Sequence, residues 1–404
     1  MYGGREKRSR HQVSRTFYRF MCSKAIASVS WNLFMVFFMW KVVSDYHSIF
    51  LAGAIASIYL VVEMSSSIPI GHLIDKVNNT RLNMISSILM GLGFSVFLLG
   101  SSLDYVYIAT AITSFGFTLK MDSFAAIIKK HVPDGSITRA TSYNQASSGL
   151  SSLIGYALGG VSLLFLSESA PLILLTLTLV SLVLSYPVSE ARVEEVASGG
   201  RQEATYSGIF SFFRKITGFV ILALIINGFF VSLDVYGSGI FKIYLGSTPL
   251  FYTMFVCALP LGMIGGSFMA NRFSDFFNNP AIISATLIMY APILVIIGIS
   301  RSPTMDVAMA GILGFVNPLV NVPLVSRLTK FTPREIFGKV FAFLKIFLGS
   351  STPVMATVFS FLSLFASVPD ILLAVGLLMI PISLLGLGVI RGFYHNTEVV
   401  PAAV

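Results

Sequence analysis

The sequence predicts an all-α membrane protein of twelve transmembrane helices, arranged as two similar six-helix halves, and three observations carry that prediction. First, 55% of the 404 residues are hydrophobic and only 11% are charged, a balance far too apolar for a string of soluble domains. Second, runs such as Ile49 to Leu60, Leu172 to Val183 and Ile371 to Ile390 carry no charge, as a bilayer core of roughly 30 Å requires. Third, most of the 27 Lys and Arg residues gather in the N-terminal tail, alternate loops and C-terminal tail. This is the positive-inside pattern. It predicts cytoplasmic termini, with Arg5, Lys7, Arg8, Arg10, Arg15 and Arg19 anchoring the tail near anionic lipid. It also assigns the net charge of +9 to topology rather than to nucleic acid.

Read in order, the first six spans fall near 17–42, 49–70, 82–101, 104–128, 138–166 and 170–188, each an apolar run bounded by charged or Pro/Gly/Asn-rich segments. Lys24 interrupts the first run, which lacks a small-residue cleavage site and is therefore expected to be a retained helix and not a removed signal. A polar stretch over 189–215, containing Glu190, Arg192, Glu194 and Glu195, is too short for a domain and reads as a cytoplasmic linker. Its end, Ile209 to Phe213, fits either an interfacial helix or the start of the next span. Spans near 216–242, 249–270, 281–300, 304–328, 337–365 and 369–391 complete the second half. The domain expectation is thus a six-helix bundle over 1–188, the linker 189–215, and a second bundle over 216–404. Cys22 and Cys257 fall inside different spans, which argues against a structural disulfide.

Loop chemistry repeats about 200 residues apart. Pro133 followed by Arg139-Ala140 recurs as Pro333 followed by Lys339-Val340, and Gly71 to Asp75-Lys76 recurs more loosely as Ser267 to Asn271-Arg272. Duplicated halves of like orientation are one architecture of secondary carriers. The residues Gly71-His72-Leu73-Ile74-Asp75-Lys76 resemble the loop signature of the major facilitator superfamily, with Asn78 in place of its second glycine and Thr80 in place of a basic residue. That resemblance spans essentially the whole chain. It implies a transporter working by alternating access, with Asp75 meeting the positive end of the eleventh helix near Glu335 to Gly338 when the inner side is closed. Ser151 to Gly160 resembles the antiporter signature of exporters in that superfamily, with Tyr156 where proline is usual. Gly155, Gly159 and Gly160 also make a small-residue face for close helix packing. The fourth span has Ile112 in the region where proton-driven exporters place an arginine.

Six ionisable residues fall inside predicted spans: Lys24, Glu63, Lys120, Asp122, Asp234 and Lys345. Each is costly in hydrocarbon unless paired or hydrated. At a rise of 1.5 Å per residue, all but Asp234 lie about 10–13 Å from the inner ends of their helices. This layer is expected to pair Lys24 with Glu63 and Asp122 with Lys345, as a gate, as a coupling site or as a static brace. Together with Gly71, Asp75, Lys76, Arg139 and Lys339 it forms the candidate charge network. Lys120, two residues from Asp122, is expected to face a central cavity and attract anions. Asp234 lies near the outer end of the seventh span and is expected to face water, as a proton or cation site or as a solvated residue. Asn227 on the seventh span, with Asn317 and Asn321 spaced i and i+4 on the tenth, mark one face of a cavity. Trp31 and Asn32 are weaker candidates, since an aromatic inside a helix more often packs. Pro260, Pro292, Pro318, Pro323, Pro353 and Pro381 concentrate bends in the second half.

No phosphate loop, zinc-ligand spacing or nucleophile elbow is present. No cofactor, metal or enzymatic activity is expected, and transport would draw on ion gradients or simply equilibrate the solute. The expected reading is a monomeric carrier in the cell membrane exporting an amphipathic or hydrophobic compound, with protons as a possible coupling ion. Two alternatives stay open: an importer or uniporter of a polar nutrient or organic anion, and a receptor or assembly factor that has a transporter fold without transport.

Overall fold

The computed structural model describes residues 15–100, 102–131, 137–186, 206–332 and 337–398. These are helical throughout, with no strand among them. In chain order the helices are α1 Arg15–Tyr46, α2 Ile49–Lys76, α3 Asn79–Ser95, α4 Leu103–His131, α5 Ile137–Phe165, α6 Ala170–Ser185, α7 Tyr206–Gly239 and α8 Pro249–Arg272. Then follow α9, which runs Pro280–Ile288 and resumes as Tyr290–Ile299, α10 Pro303–Phe331, α11 Phe337–Leu362 and α12 Val368–Glu398. Ten described helical spans are long and apolar enough to cross a membrane, and Ala170–Ser185 and Phe347–Leu362 are shorter apolar helices. All twelve predicted spans are therefore helices. Large side chains such as Phe268, Leu385 and Phe365 are 72%, 72% and 82% exposed, a surface suited to lipid and unsuited to water.

The described residues fall into two compact units, drawn from Met1–Val42 with Ile58–Val196 and from Val43–Ser57 with Ala197–Val404. α2 contributes to both. The last residues predicted as linker are helical, because Tyr206 opens α7. The segment Gly71 to Lys76, expected as a loop, is instead the last turn and a half of α2. No proline falls within it, and His72 Nδ1 lies 3.0 Å from the Ile68 carbonyl one turn back.

What ends and starts these helices recurs along the chain. Asn78 caps α3 by accepting from Thr80 N at 2.9 Å and from its hydroxyl at 2.6 Å; Asn279 caps α9 by accepting from Ala281 N at 2.9 Å. Both satisfy donors that a helix start leaves unpaired. Residues 78 and 80, where the signature is broken, are thus the cap and its partner. His47 and Gly246, in the turns before α2 and α8, both take a left-handed backbone with φ of 51° and 53°. Prolines open α8, α9 and α10 at the first helical positions, where a missing N–H costs nothing. Pro292 has the opposite effect. It cannot donate to the Ile288 carbonyl, and α9 breaks there at Met289.

Packing within each unit depends on small residues. In the second unit a Cβ built on Gly262 would fall on the Gly311 carbonyl oxygen, and one on Gly314 would fall on that of Leu259, so α8 and α10 touch backbone to backbone. In the first unit a Cβ on Gly155 would lie 2.8 Å from the Val29 carbonyl, and one on Gly159 3.0 Å from Val36 Cβ; Gly160 beside them is buried. The predicted packing face on α5 therefore meets α1. Cys22, exposed, and Cys257 are free thiols.

Candidate functional site

In the second unit, α7 carries Asn227 and α10 carries Asn321 to one pocket, whose walls include Leu222, Leu287, Tyr290 and Leu324. Asn321 Nδ2 donates to Asn317 Oδ1 at 2.8 Å, one helical turn away, which fixes the orientation of the Asn321 amide and leaves its oxygen available. Asn227 is half-buried and Asn321 exposed. Tyr290, 1% exposed, meets the Phe230 ring edge-on at 4.9 Å between centroids. None of the residues lining this pocket is charged. Apolar walls with a few directed amides suit an uncharged or weakly polar solute, since a charge would be stripped of water without compensation. Pro318 and Pro323 bracket Asn321 inside α10, and each removes one backbone donor from the helix ladder.

The first unit is built differently. Lys120 on α4 is fully buried. Its ammonium, with three N–H donors, lies within hydrogen-bond distance of four oxygens: Ser23 Oγ at 2.7 Å, Ser87 Oγ at 2.7 Å, Ser185 Oγ at 2.6 Å and the Asn83 carbonyl at 3.0 Å. These partners come from α1, α3 and α6. The expected cavity-facing role is overturned: the residue points into its own helical bundle, because three facing helices supply small hydroxylated residues where apolar ones would leave the charge unsolvated. Lys24 is 4% exposed and donates to Asn144 Oδ1 and Ser148 Oγ, both at 2.6 Å, on α5. These neutral oxygens take the place of the expected Glu63 carboxylate, and Lys24 Nζ also lies 5.7 Å from the centre of the Phe124 ring. Spacing along α1 carries no information on the amide and hydroxyl that α5 turns toward Lys24.

Glu63 and Asp122 are half-buried, and Asp234 is exposed on α7. Gly71 and Lys76 are exposed on α2. The side chains of Asp75, Arg139, Lys339 and Lys345 lie outside the described residues, as do the segments holding Pro133 and Pro333. Trp31 is 4% exposed and stacks on Phe117 at 5.1 Å, a packing role. Asn32 donates to the Ser28 carbonyl at 2.7 Å.

Sequence reasoning missed several polar residues. Ser23, Asn83, Ser87, Ser181 and Ser185 are all at most 1% exposed. The signal for them was small polar residues recurring at i and i+4, as in 83/87 and 181/185. Arg327 on α10 was also missed; it donates to Thr397 Oγ1 at 2.8 Å and to the Tyr394 carbonyl at 2.9 Å, tying α10 to the end of α12. Asp306, in the first turn of α10, is fully buried.

Among the described residues, ten long apolar helices and two shorter ones, with an uncharged pocket between helices of the second unit, define a multi-pass membrane protein. The chain belongs to the Major Facilitator Superfamily, which it matches over residues 20–357. No curated protein sequence matches it. Among solved structures it is similar to a bacterial homologue of the human lysosomal transporter Spinster, with a TM-score of 0.72, 11% identity, and coverage of 94% of this chain and 97% of that one. It is also similar to the nucleoside transporter NupG, at 0.70 and 10% identity over 94% and 99% of the two chains. A POT family transporter solved with a thioalcohol-conjugated peptide gives 0.71 and 14% identity over 92% and 95%. At these identities the likeness is one of fold. Family and fold together point to a small-molecule transporter embedded in the membrane rather than to an enzyme.

Proposed function

We propose that the chain exports an uncharged or weakly polar amphipathic compound across the cell membrane by alternating access, with its termini on the cytoplasmic side. The observation that carries this reading is the pocket that brings Asn227 and Asn321 together between apolar walls with no charge in its lining. The burial of Lys120 favours the same reading over an organic anion, since the ammonium expected to attract an anion is consumed by serine oxygens. Export rests on the partial antiporter-like pattern from Ser151 to Gly160. The proposed moving bodies are 1–188 and 216–404. Asp75, Lys76, Arg139 and Lys339 form the inner gate between conformations, joined by the charged layer of Glu63, Asp122 and Lys345. Asp122 and Asp234 are the candidate carriers of a coupling proton.

The test is proton release from purified, reconstituted protein on addition of a panel spanning neutral amphipaths, nucleoside-like polar solutes and organic anions. Wild type is compared with Asp122→Asn, Asp234→Asn and Asn321→Ala. Neutral amphipaths are expected to bind and to release protons, with release lost in one aspartate variant and affinity weakened about tenfold in Asn321→Ala, one directed hydrogen bond. Binding confined to organic anions would refute the substrate class. Binding without release in any variant would reduce the chain to a uniporter.

A further inference from the structure

The Lys120 cluster has the architecture of a cation site. Four oxygens from three helices surround the Nζ atom at 2.6 to 3.0 Å, and every contributing residue is at most 1% exposed. All four are neutral, three hydroxyls and one backbone carbonyl. An ordinary buried lysine is held by a carboxylate; here no carboxylate lies within ion-pair reach among the described residues. The hydroxyl protons have other destinations. Ser23 Oγ reaches the Ser181 carbonyl at 2.7 Å, and Ser185 Oγ reaches the same carbonyl at 2.8 Å. Ser181 Oγ in turn donates to the Ser23 carbonyl at 2.9 Å. Ser87 Oγ meets Ser181 Oγ at 3.2 Å, and Ser23 Oγ and Ser185 Oγ lie 2.7 Å apart, so the serines form one hydrogen-bonded network around the charge. This second layer orients the ligands as an outer shell orients the ligands of a metal.

Neutral oxygens replacing a hydration shell are the means by which proteins hold potassium-sized ions. We propose that this cage is a monovalent-cation site of potassium or ammonium size, filled in the intact chain by the chain's own Lys120 ammonium. The first unit thus carries a tethered cation that clamps α1, α3, α4 and α6 and does not exchange with solution. Removing the tether while leaving the cage intact should convert it into a site for a free ion.

The experiment uses the full-length protein, wild type, Lys120→Ala and Lys120→Met, in detergent with equal concentrations of methylammonium, potassium, sodium or choline chloride. Thermal unfolding is the readout. Lys120→Ala leaves the space of the missing side chain open to an ion, and Lys120→Met fills it with an apolar stem. In choline, whose cation is too large for the cage, Lys120→Ala should unfold well below wild type. Methylammonium should raise its midpoint by ~3–6 °C, potassium by less and sodium least, as binding to the folded state alone requires. Wild type and Lys120→Met should not distinguish the four salts, and Lys120→Met should stay low in all of them. If Lys120→Ala is recovered from membranes only when methylammonium or potassium is present, that recovery is the expected result in its stronger form. The proposal is overturned by equal midpoints for Lys120→Ala in all four salts, by failure of every salt to recover it, or by a Lys120→Met variant as stable as wild type.

Discussion

Each unit opens a helix with an asparagine cap, Asn78 on α3 and Asn279 on α9, yet the two place polar groups differently. The first brings charge inside and satisfies it completely: Lys24 and Lys120 are buried, and both end on neutral oxygens. The second keeps charge out of its pocket, uses two amides there, and interrupts its helices with Pro260, Pro318, Pro323, Pro353 and Pro381. A satisfied buried network stiffens the helices that share it. Prolines remove backbone hydrogen bonds and let helices bend. The contrast therefore assigns rigidity to the first unit and adaptable solute contact to the second.

The largest expected effect lies where backbones touch. Gly262→Val or Gly314→Val should destabilise the second unit by at least ~3 kcal/mol, seen as loss of monodisperse protein on size exclusion. Gly71→Ala, with nothing within 4 Å of the added methyl, should leave yield unchanged. Next comes the contrast in charge. Lys24→Met leaves the half-buried Asn144 and Ser148 acceptors unmatched, and should cost ~1–3 kcal/mol, measured as a lowered unfolding midpoint with solute affinity retained by the surviving protein. The pocket should respond in the reverse sense. Asn227→Ala should weaken solute binding by about tenfold in equilibrium titration while shifting the midpoint little; a large stability loss with unaltered binding would move Asn227 from the pocket to the packing. The smallest effect tests the asparagine caps: Asn78→Ala and Asn279→Ala should each cost ~1 kcal/mol through a lost helix cap. Unequal losses would mean that the two caps no longer do the same work.

Much of this was legible before any coordinates. Twelve helices could be read because a bilayer demands about 20 apolar residues per span, and that demand is written locally in composition. The face shared by Asn317 and Asn321 followed from helical spacing alone. Local patterns were weaker at boundaries, so Gly71 to Lys76 looked like a loop although it continues α2, and the break in α9 at Met289 was anticipated only as a bend at Pro292.

What the sequence determined by itself is the class of molecule: an α-helical membrane protein with ionisable residues inside its apolar helices. Tertiary structure alone decided what each of those residues does. Lys24 and Lys120 look alike in sequence, four-carbon cations in apolar helices, and charge complementarity favoured carboxylate partners for Lys24. Their partners are instead Asn144 with Ser148, and Ser23, Ser87, Ser185 and the Asn83 carbonyl. The reason is physical. Hydropathy is a property of one helix, whereas satisfying a buried charge depends on which faces of other helices meet it, and those contacts join residues up to about a hundred positions or more apart in the chain.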